Sequence, residues 1–358
     1  MARESLRVAV VGIGGIGSAT LQAAQQCQIV KLVGVGDKNP QLAKQAGQQA
    51  NVPFFSDNRS LLAQARPEAI FLAVPPMNCA ELISACAERG IAVWKEAPLG
   101  RNLNEAVAMV SLMEKADLPL AVGTQRRFSL GYRQARQLLD QVEKVFLARA
   151  HYLFNWGSEL GWRGDKSAAG GGALLELGYH PIDLLVWMLG LPEEVYGLIV
   201  GGNMPGSAGP QQAIAVPADT DDTAAAVLRF GHGAAASVVT TRSSGPVSEE
   251  LCLHGLAGSI TATSETCTLR DPDGNVLHCT EPESIMLAGF IRQVESFATA
   301  VLEHRRQYEC SGLENLMTQA VIEALYLSGR TMHPENPAHL LGQHNLSEQG
   351  CLLHHPID

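Results

Sequence analysis

Residues 6–17 read LRVAVVGIGGIG, an apolar run that stops in a cluster of glycines before a helical pattern begins. Six residues of near-continuous Val, Leu and Ala predict a strand buried on both faces. The turn that follows, Gly12-Ile13-Gly14-Gly15-Ile16-Gly17, has the G-x-G-x-x-G spacing at the strand-to-helix junction where a dinucleotide turn has to lie. Gly12 permits the tight turn, Gly14 lets backbone approach a pyrophosphate, and Gly17 lets helix and strand pack closely. The pyrophosphate would rest on the helix N-terminus, with Ile13, Gly15 and Ile16 completing the cradle. Asp37 follows Gly17 by twenty residues, at the end of the next apolar run, where a carboxylate accepts hydrogen bonds from ribose hydroxyls. Its charge opposes a 2′-phosphate and favours NAD, while Lys38 beside it keeps NADP open. A tight turn followed by a surface aspartate is the plainer alternative. FAD is disfavoured because no second flavin-type glycine motif follows, and a methyltransferase because its catalytic signature is absent.

Outward from this turn, apolar runs alternate with helical patterns through "IVKLVGVGD", "EAIFLAVPP", "IAVWKEAP" and "LPLAVGT". That alternation predicts a doubly wound parallel α/β sheet over residues 1–125. After residue 125 the pattern changes. "VFLARAHYLFN", "EEVYGLIVGG", "DTAAAVLRF", "GAAASVVTTRSS", "EELCLHG" and "GSITATS" are strands joined by turns. They predict an α+β domain over 126–335 with a large, open, mostly antiparallel sheet. Its covered face is assigned to "GGALLELGYHPIDLLVWMLG" and to helices near 286–304 and 313–329. "VGGNMPGSAGPQQ" reads as a flexible loop and 336–358 as a polar tail.

The 358 residues suit two domains rather than one core, and 46% hydrophobic with 17% charged residues describes a folded chain. A net charge of -10 opposes binding to a phosphate backbone, so no nucleic acid partner is expected. The first apolar run enters the glycine turn directly, which predicts no cleavable leader, and no run is long enough to cross a bilayer. Eight scattered cysteines without a CxxC pair fit a reducing cytoplasm and give no metal site. The outward positions of segments such as "AAAVLRF" and "AAASVVTT" are too apolar for a solvated sheet face, which predicts a homodimer or homotetramer.

Within "GYHPIDLL", His180 and Asp183 are three apart and share a face if helical, and Glu176 would extend that face four residues earlier. Pro181 disfavours a straight helix through this point, which favours the His180–Asp183 pair over the triple. A histidine titrates near neutrality and suits general acid–base work. A core histidine satisfied by a backbone carbonyl is the competing reading, and two ligands without a third make no metal site.

Together, "GIGGIG", Asp37, "AVPPMNCAELISACAERGIAV", "EAPLGRNLNEA", "QRRFSLGY", "GGGALLELGYHPIDLL" and "DTAAAVLRFGHGAAAS" resemble the glucose–fructose oxidoreductase / inositol dehydrogenase / rhizopine catabolism family, the Gfo/Idh/MocA oxidoreductases. The likeness runs to about residue 330. It implies NAD(P)-dependent hydride transfer at a carbinol or carbonyl carbon of a sugar, cyclitol or related polyhydroxylated small molecule. It implies His180 as acid/base with Asp183 beside it, Arg127 near cofactor and substrate, and Pro75-Pro76 at the turn passing the nicotinamide ribose. The family writes Glu-Lys-Pro where this chain has Glu96-Ala97-Pro98, so Glu96 is retained and the lysine that polarises the substrate oxygen is absent. Cys79 stands where a histidine is common and Glu176 where an aspartate is usual. Lys95, two residues before Ala97, shares its side of an extended strand and is a candidate to supply the missing cation, a surface ion pair being the alternative. A cofactor-binding sensor without turnover and a biliverdin-reductase-like reductase that needs no lysine are the competing functions. Low aromatic content, 5%, weighs against the flat tetrapyrrole ligand of the latter.

Overall fold

The computed structural model describes residues 5–157, 159–201, 218–283 and 287–352. The loop expected at 200–212 and the end of the expected polar tail lie largely outside them. The first layer comprises β1 (Leu6–Val11), α1 (Ile16–Gln26), β2 (Val30–Gly36), α2 (Pro40–Ala50), β3 (Phe54–Phe55), α3 (Asn58–Ala65), β4 (Ala69–Leu72), α4 (Cys79–Ala87), β5 (Ala92–Glu96), α5 (Leu103–Lys115) and β6 (Leu120–Gly123). The strands pair in parallel in the order β3-β2-β1-β4-β5-β6. The order reverses between β1 and β4, so a crevice opens at their carboxyl ends, where such sheets bind ligands.

The second sheet runs β14-β13-β12-β11-β7-β10-β9-β8 and is antiparallel except where β7 pairs with β10. Its strands are β7 (Val145–Asn155), β8 (Glu194–Gly201), β9 (Asp221–Arg229), β10 (Ala235–Thr241), β11 (Ser243–Gly255), β12 (Gly258–Ala262), β13 (Cys267–Arg270) and β14 (Val276–Cys279). The helices that accompany it are α6 (Leu130–Leu138), α7 (Lys166–Ala169), α8 (Ala173–Glu176), α9 (Tyr179–Leu189), α10 (Ala288–Leu302), α11 (Gly312–Thr331), α12 (Pro337–Gly342) and α13 (Glu348–Cys351). Of these, α6, α8, α9 and α11 pack on its inner face. On β9 and β10, buried and accessible residues alternate, as one covered face requires. Leu198, Val227 and Val239 stand 55%, 56% and 42% exposed on the other face.

Two expectations are corrected here. The helix near 286–304, assigned to the second sheet, packs on the first instead. Val294, Phe297 and Ala298 of α10 join Leu6, Val8, Phe71 and Trp94 in one core, and the ring centroids of Phe71 and Phe297 lie 5.9 Å apart. A parallel sheet needs both faces covered. α1 and α2 leave part of this face open, and α10 returns to close it. The described part of the expected polar tail is also folded: α12 and α13 bury Leu341 and Cys351 against the α11 region. Among the described residues no helix is long and apolar enough to cross a membrane, no cluster of metal-ligating side chains occurs, and all eight cysteines are free thiols.

Candidate active site

A cavity of about 950 Å³ extends from the crevice of the first sheet to the inner face of β7 and the start of α9. At its first end the glycines divide the work as their spacing implies. Gly12 has φ 85°, and a Cβ there would lie 2.3 Å from Ala73 O; a Cβ at Gly17 would lie 1.8 Å from Gly12 O. At Gly14 nothing stands within 4 Å, so this backbone faces open space. Gly15, the N-cap of α1, supplies no side-chain cap; Gly17 N–H and Ser18 N–H donate to Gly14 O and Gly15 O at 3.0 and 3.1 Å, which leaves the Ile16 N–H at the helix start for an anionic ligand. Asp37 accepts from Ile13 N–H at 2.8 Å through Oδ2 and from Asn39 N–H at 2.8 Å through Oδ1. The turn therefore holds this carboxylate at the end of β2, and Ile13 orients Asp37 instead of lining the cavity. Gly12, Gly14, Gly15, Ile16, Asp37, Lys38, Pro75 and Pro76 all line it; Gly17 packs behind.

At the other end Lys95, Glu96, Arg126, Tyr152, Phe154, Trp156, Trp162, Arg163, Glu176 and His180 converge. Tyr152 and Phe154 alternate along β7 and so share one face, and Trp156, the residue after its end, continues the spacing. The rings of Phe154 and Trp156 are 4.8 Å apart, and Tyr152 meets His180 edge-on at 6.1 Å. Burial, reinforced by Arg126, pushes the His180 imidazole well below its ordinary 6.5, so it is neutral at physiological pH. Its Nδ1 is buried without a partner. Glu176 carries its carboxyl on the same wall; burial raises it above the usual range, against the pull of Arg163.

The Glu176–His180 pairing reverses the sequence preference for His180–Asp183. Leu177 and Gly178 both have right-handed helical dihedrals, so α8 runs into α9 with Glu176 one turn before His180. Pro181 falls in the first turn of α9, where a missing N–H costs little. Asp183 is fully buried and turned away from the cavity. Its carboxylate takes a bidentate pair from Arg127, Nε and Nη2 each at 2.7 Å, and Thr318 Oγ1 at 3.1 Å. Arg127 also donates to Glu314. Arg127 therefore does not line the cavity, and Arg126 does. A 3-10 turn over Gln125–Phe128 rotates successive side chains by a third of a turn, which separates the two arginines.

Lys95 is neither a surface lysine nor a free cation. It is 1% exposed at the cavity wall, and its Nζ donates to Glu96 O at 2.9 Å and to Pro98 O. Burial lowers its basicity. Glu96 packs toward Gly123, where a Cβ would stand 2.8 Å from its Oε2. Its Oε1 has no partner, and burial lifts its carboxyl to about 8 despite Lys95 nearby. Sequence reasoning did not single out Arg126, Tyr152, Phe154, Trp156, Trp162 or Arg163. The alternation in "YLFNW" was the one local signal available.

A family model described as an oxidoreductase family with an NAD-binding Rossmann fold matches residues 6–124, and a Gfo/Idh/MocA C-terminal domain model matches 132–261. The levoglucosan dehydrogenase of Pseudarthrobacter phenanthrenivorans is 27% identical over 72% of this chain and 73% of that protein. The myo-inositol 2-dehydrogenase of Thermotoga maritima is 26% identical over 66% and 69%. A crystal structure of levoglucosan dehydrogenase with NADH and levoglucosan superposes with a TM-score of 0.84, covering 93% of this chain and 99% of that one, at 22% identity.

Proposed function

This chain belongs to the Gfo/Idh/MocA family of NAD-binding oxidoreductases, and we propose that its reaction is the oxidation of a carbinol on a neutral sugar, cyclitol or derivative, or the reverse reduction. Bound NAD would supply the acceptor for the hydride of the carbinol carbon. The chain's residues handle everything else. The open backbone at Gly14 and the uncapped start of α1 receive the pyrophosphate, and Asp37 receives the ribose hydroxyls. The neutral His180, which lines the cavity, takes the hydroxyl proton as the hydride leaves. Glu176, one turn earlier, orients the substrate, and the aromatic strip of β7 excludes water beside it.

The observation that carries this reading is a neutral histidine, its Nδ1 unpartnered among the described residues, in the same cavity as the open glycine turn. The dehydrogenase names of the relatives agree with it. The test is absorbance at the nicotinamide band with purified protein, NAD or NADP, and a panel of polyols and keto-sugars. Turnover of at least one is expected. Tight NADH binding with no turnover across the panel would instead support a sensor.

Residues 1–125 serve as the cofactor domain in this reading and 126–335 as the substrate and oligomer domain, with α10 lent back to the first. The exposed Leu198, Val227 and Val239 make the outer face of the second sheet the seam of a homodimer or homotetramer. A monomer mass in sedimentation at micromolar concentration would remove that seam.

A further inference from the structure

Three cations line the substrate end of the cavity, and two are already committed. Lys95 donates to the carbonyls of Glu96 and Pro98. Arg126 gives Nε and Nη2 to Glu249, each at 2.9 Å, and Nη1 lies 2.7 Å from the Gln125 amide oxygen when that amide also donates to Gly123 O. Arg163 differs. Only its Nε is bonded, to Glu176 Oε1 at 2.6 Å, and neither Nη1 nor Nη2 has a protein acceptor among the described residues.

That free end is held in place from several sides. The guanidinium sits 4.0 Å from the ring centroid of Trp156 and 4.4 Å from that of Trp162. The Arg163 carbonyl accepts from Thr220 Oγ1 at 2.8 Å and from Arg242 Nη1 at 3.1 Å. Arg242 is itself 2% exposed and paired with Asp222 at 2.8 Å. Most of the ordering that a ligand would otherwise impose is therefore already present. The two Nη groups form a planar fork of donors, and Glu176 Oε2, without a donor among the described residues, places an acceptor beside it. Hydroxyls both donate and accept, so this combination matches them. The pair has no net charge, and Glu176 would repel a carboxylate.

We propose that Arg163 binds two neighbouring substrate hydroxyls, with Glu176 accepting from one of them, and thereby selects neutral polyols that carry a vicinal diol beside the carbon served by His180. The proximity follows from Glu176 standing one helical turn before His180. Arg163 is thus a specificity-determining residue, fixed by its contacts with the Trp156 and Trp162 rings and by Arg242.

This proposal rests on the oxidoreductase reading, and its test separates the two. NADH affinity is measured first for wild type, R163Q and R163K. Neutral cyclitols and pyranosides, their monodeoxy analogues and the matching sugar acids are then titrated calorimetrically into each NADH complex, with kcat/KM followed in parallel. R163Q is expected to keep NADH affinity within about twofold, because Arg163 lies at the other end of the cavity. Its polyol affinity should fall roughly tenfold to a hundredfold, as loss of charge-assisted hydrogen bonds implies. It should also lose the wild type's preference for the polyol over its deoxy analogue. R163K, charged but without the fork, should be intermediate, and it carries the test if R163Q fails to bind NADH. Unchanged polyol affinity and preference in both variants would overturn the proposal alone, as would preferential binding of sugar acids by the wild type. A wild-type NADH complex that binds no neutral polyol would overturn the oxidoreductase reading with it.

Discussion

The two ends of the cavity are built in opposite ways. The cofactor end is centred on backbone: Gly12, Gly14 and Gly15, the start of α1 and the Pro75-Pro76 turn, with the Asp37 carboxylate held by Ile13 N–H and side chains such as Asp57 and Glu81 around it. These come from neighbouring strand ends of a single sheet. The substrate end is mostly side chain, drawn from β5, the turn at Arg126, β7, the loop carrying Trp162 and Arg163, and the α8–α9 junction. A backbone cradle holds its ligand through chain geometry, whereas a side-chain wall takes its chemistry from each residue it presents. Ala97 and Glu176, two of the departures from the pattern the chain resembles, line the second end, while the glycine turn of the first is intact.

Three measurements would break or sharpen the contrast. The largest effect is expected at the substrate end. His180→Ala should lower kcat by about 10²- to 10⁴-fold, the usual worth of a positioned acid–base group, with NADH affinity preserved. Because burial holds the histidine pKa below 6.5, the base form persists as pH falls, and the acid limb of kcat/KM for oxidation should lie below pH 6.5. An acid limb above that value would take the proton transfer away from His180.

Asp183 tests whether adjacency in sequence means membership of the site. Asp183→Asn leaves the Arg127 guanidinium buried with much of its compensation gone, and should cost about 3–5 kcal/mol in denaturant unfolding. The kcat of the folded enzyme should change little. Lost activity at full stability would return Asp183 to the chemistry.

The smallest effect is expected at the cofactor end. Asp37→Ala removes the acceptor for ribose hydroxyls and should weaken NAD binding by about 1–2 kcal/mol in paired titrations, with NADP weakened less. An unchanged NAD-to-NADP ratio would show that Asp37 serves only to fasten Ile13.

The candidate site was unevenly legible. Gly12, Gly14 and Asp37 were readable because a sharp turn and a strand-end carboxylate are consequences of neighbouring residues. The His180–Asp183 pairing was misread because spacing alone gives a shared face and not which face meets the cavity. The kink feared at Pro181 vanished once the helix began at Tyr179. The resemblance puts Arg127 near cofactor and substrate, but a 3-10 turn, invisible in "QRRF", points the two arginines apart and leaves Arg126 at the cavity. Low aromatic content was a poor guide as well, since four aromatic side chains gather on one wall.

By itself, the sequence determined the parallel sheet, its nucleotide turn, the change to an antiparallel second half, and the residue type fit for proton transfer. Periodicity and glycine geometry act over a few residues, so they survive in a linear reading. Only the tertiary structure decided that α10 closes the first sheet, that Lys95 is tied to the carbonyls of Glu96 and Pro98, and that Arg163 lies against Trp156 and Trp162 with its terminal nitrogens unbonded among the described residues. Each of those depends on which distant surfaces pack together. Packing is chosen by the fit of the whole core, and no window of neighbouring residues contains it.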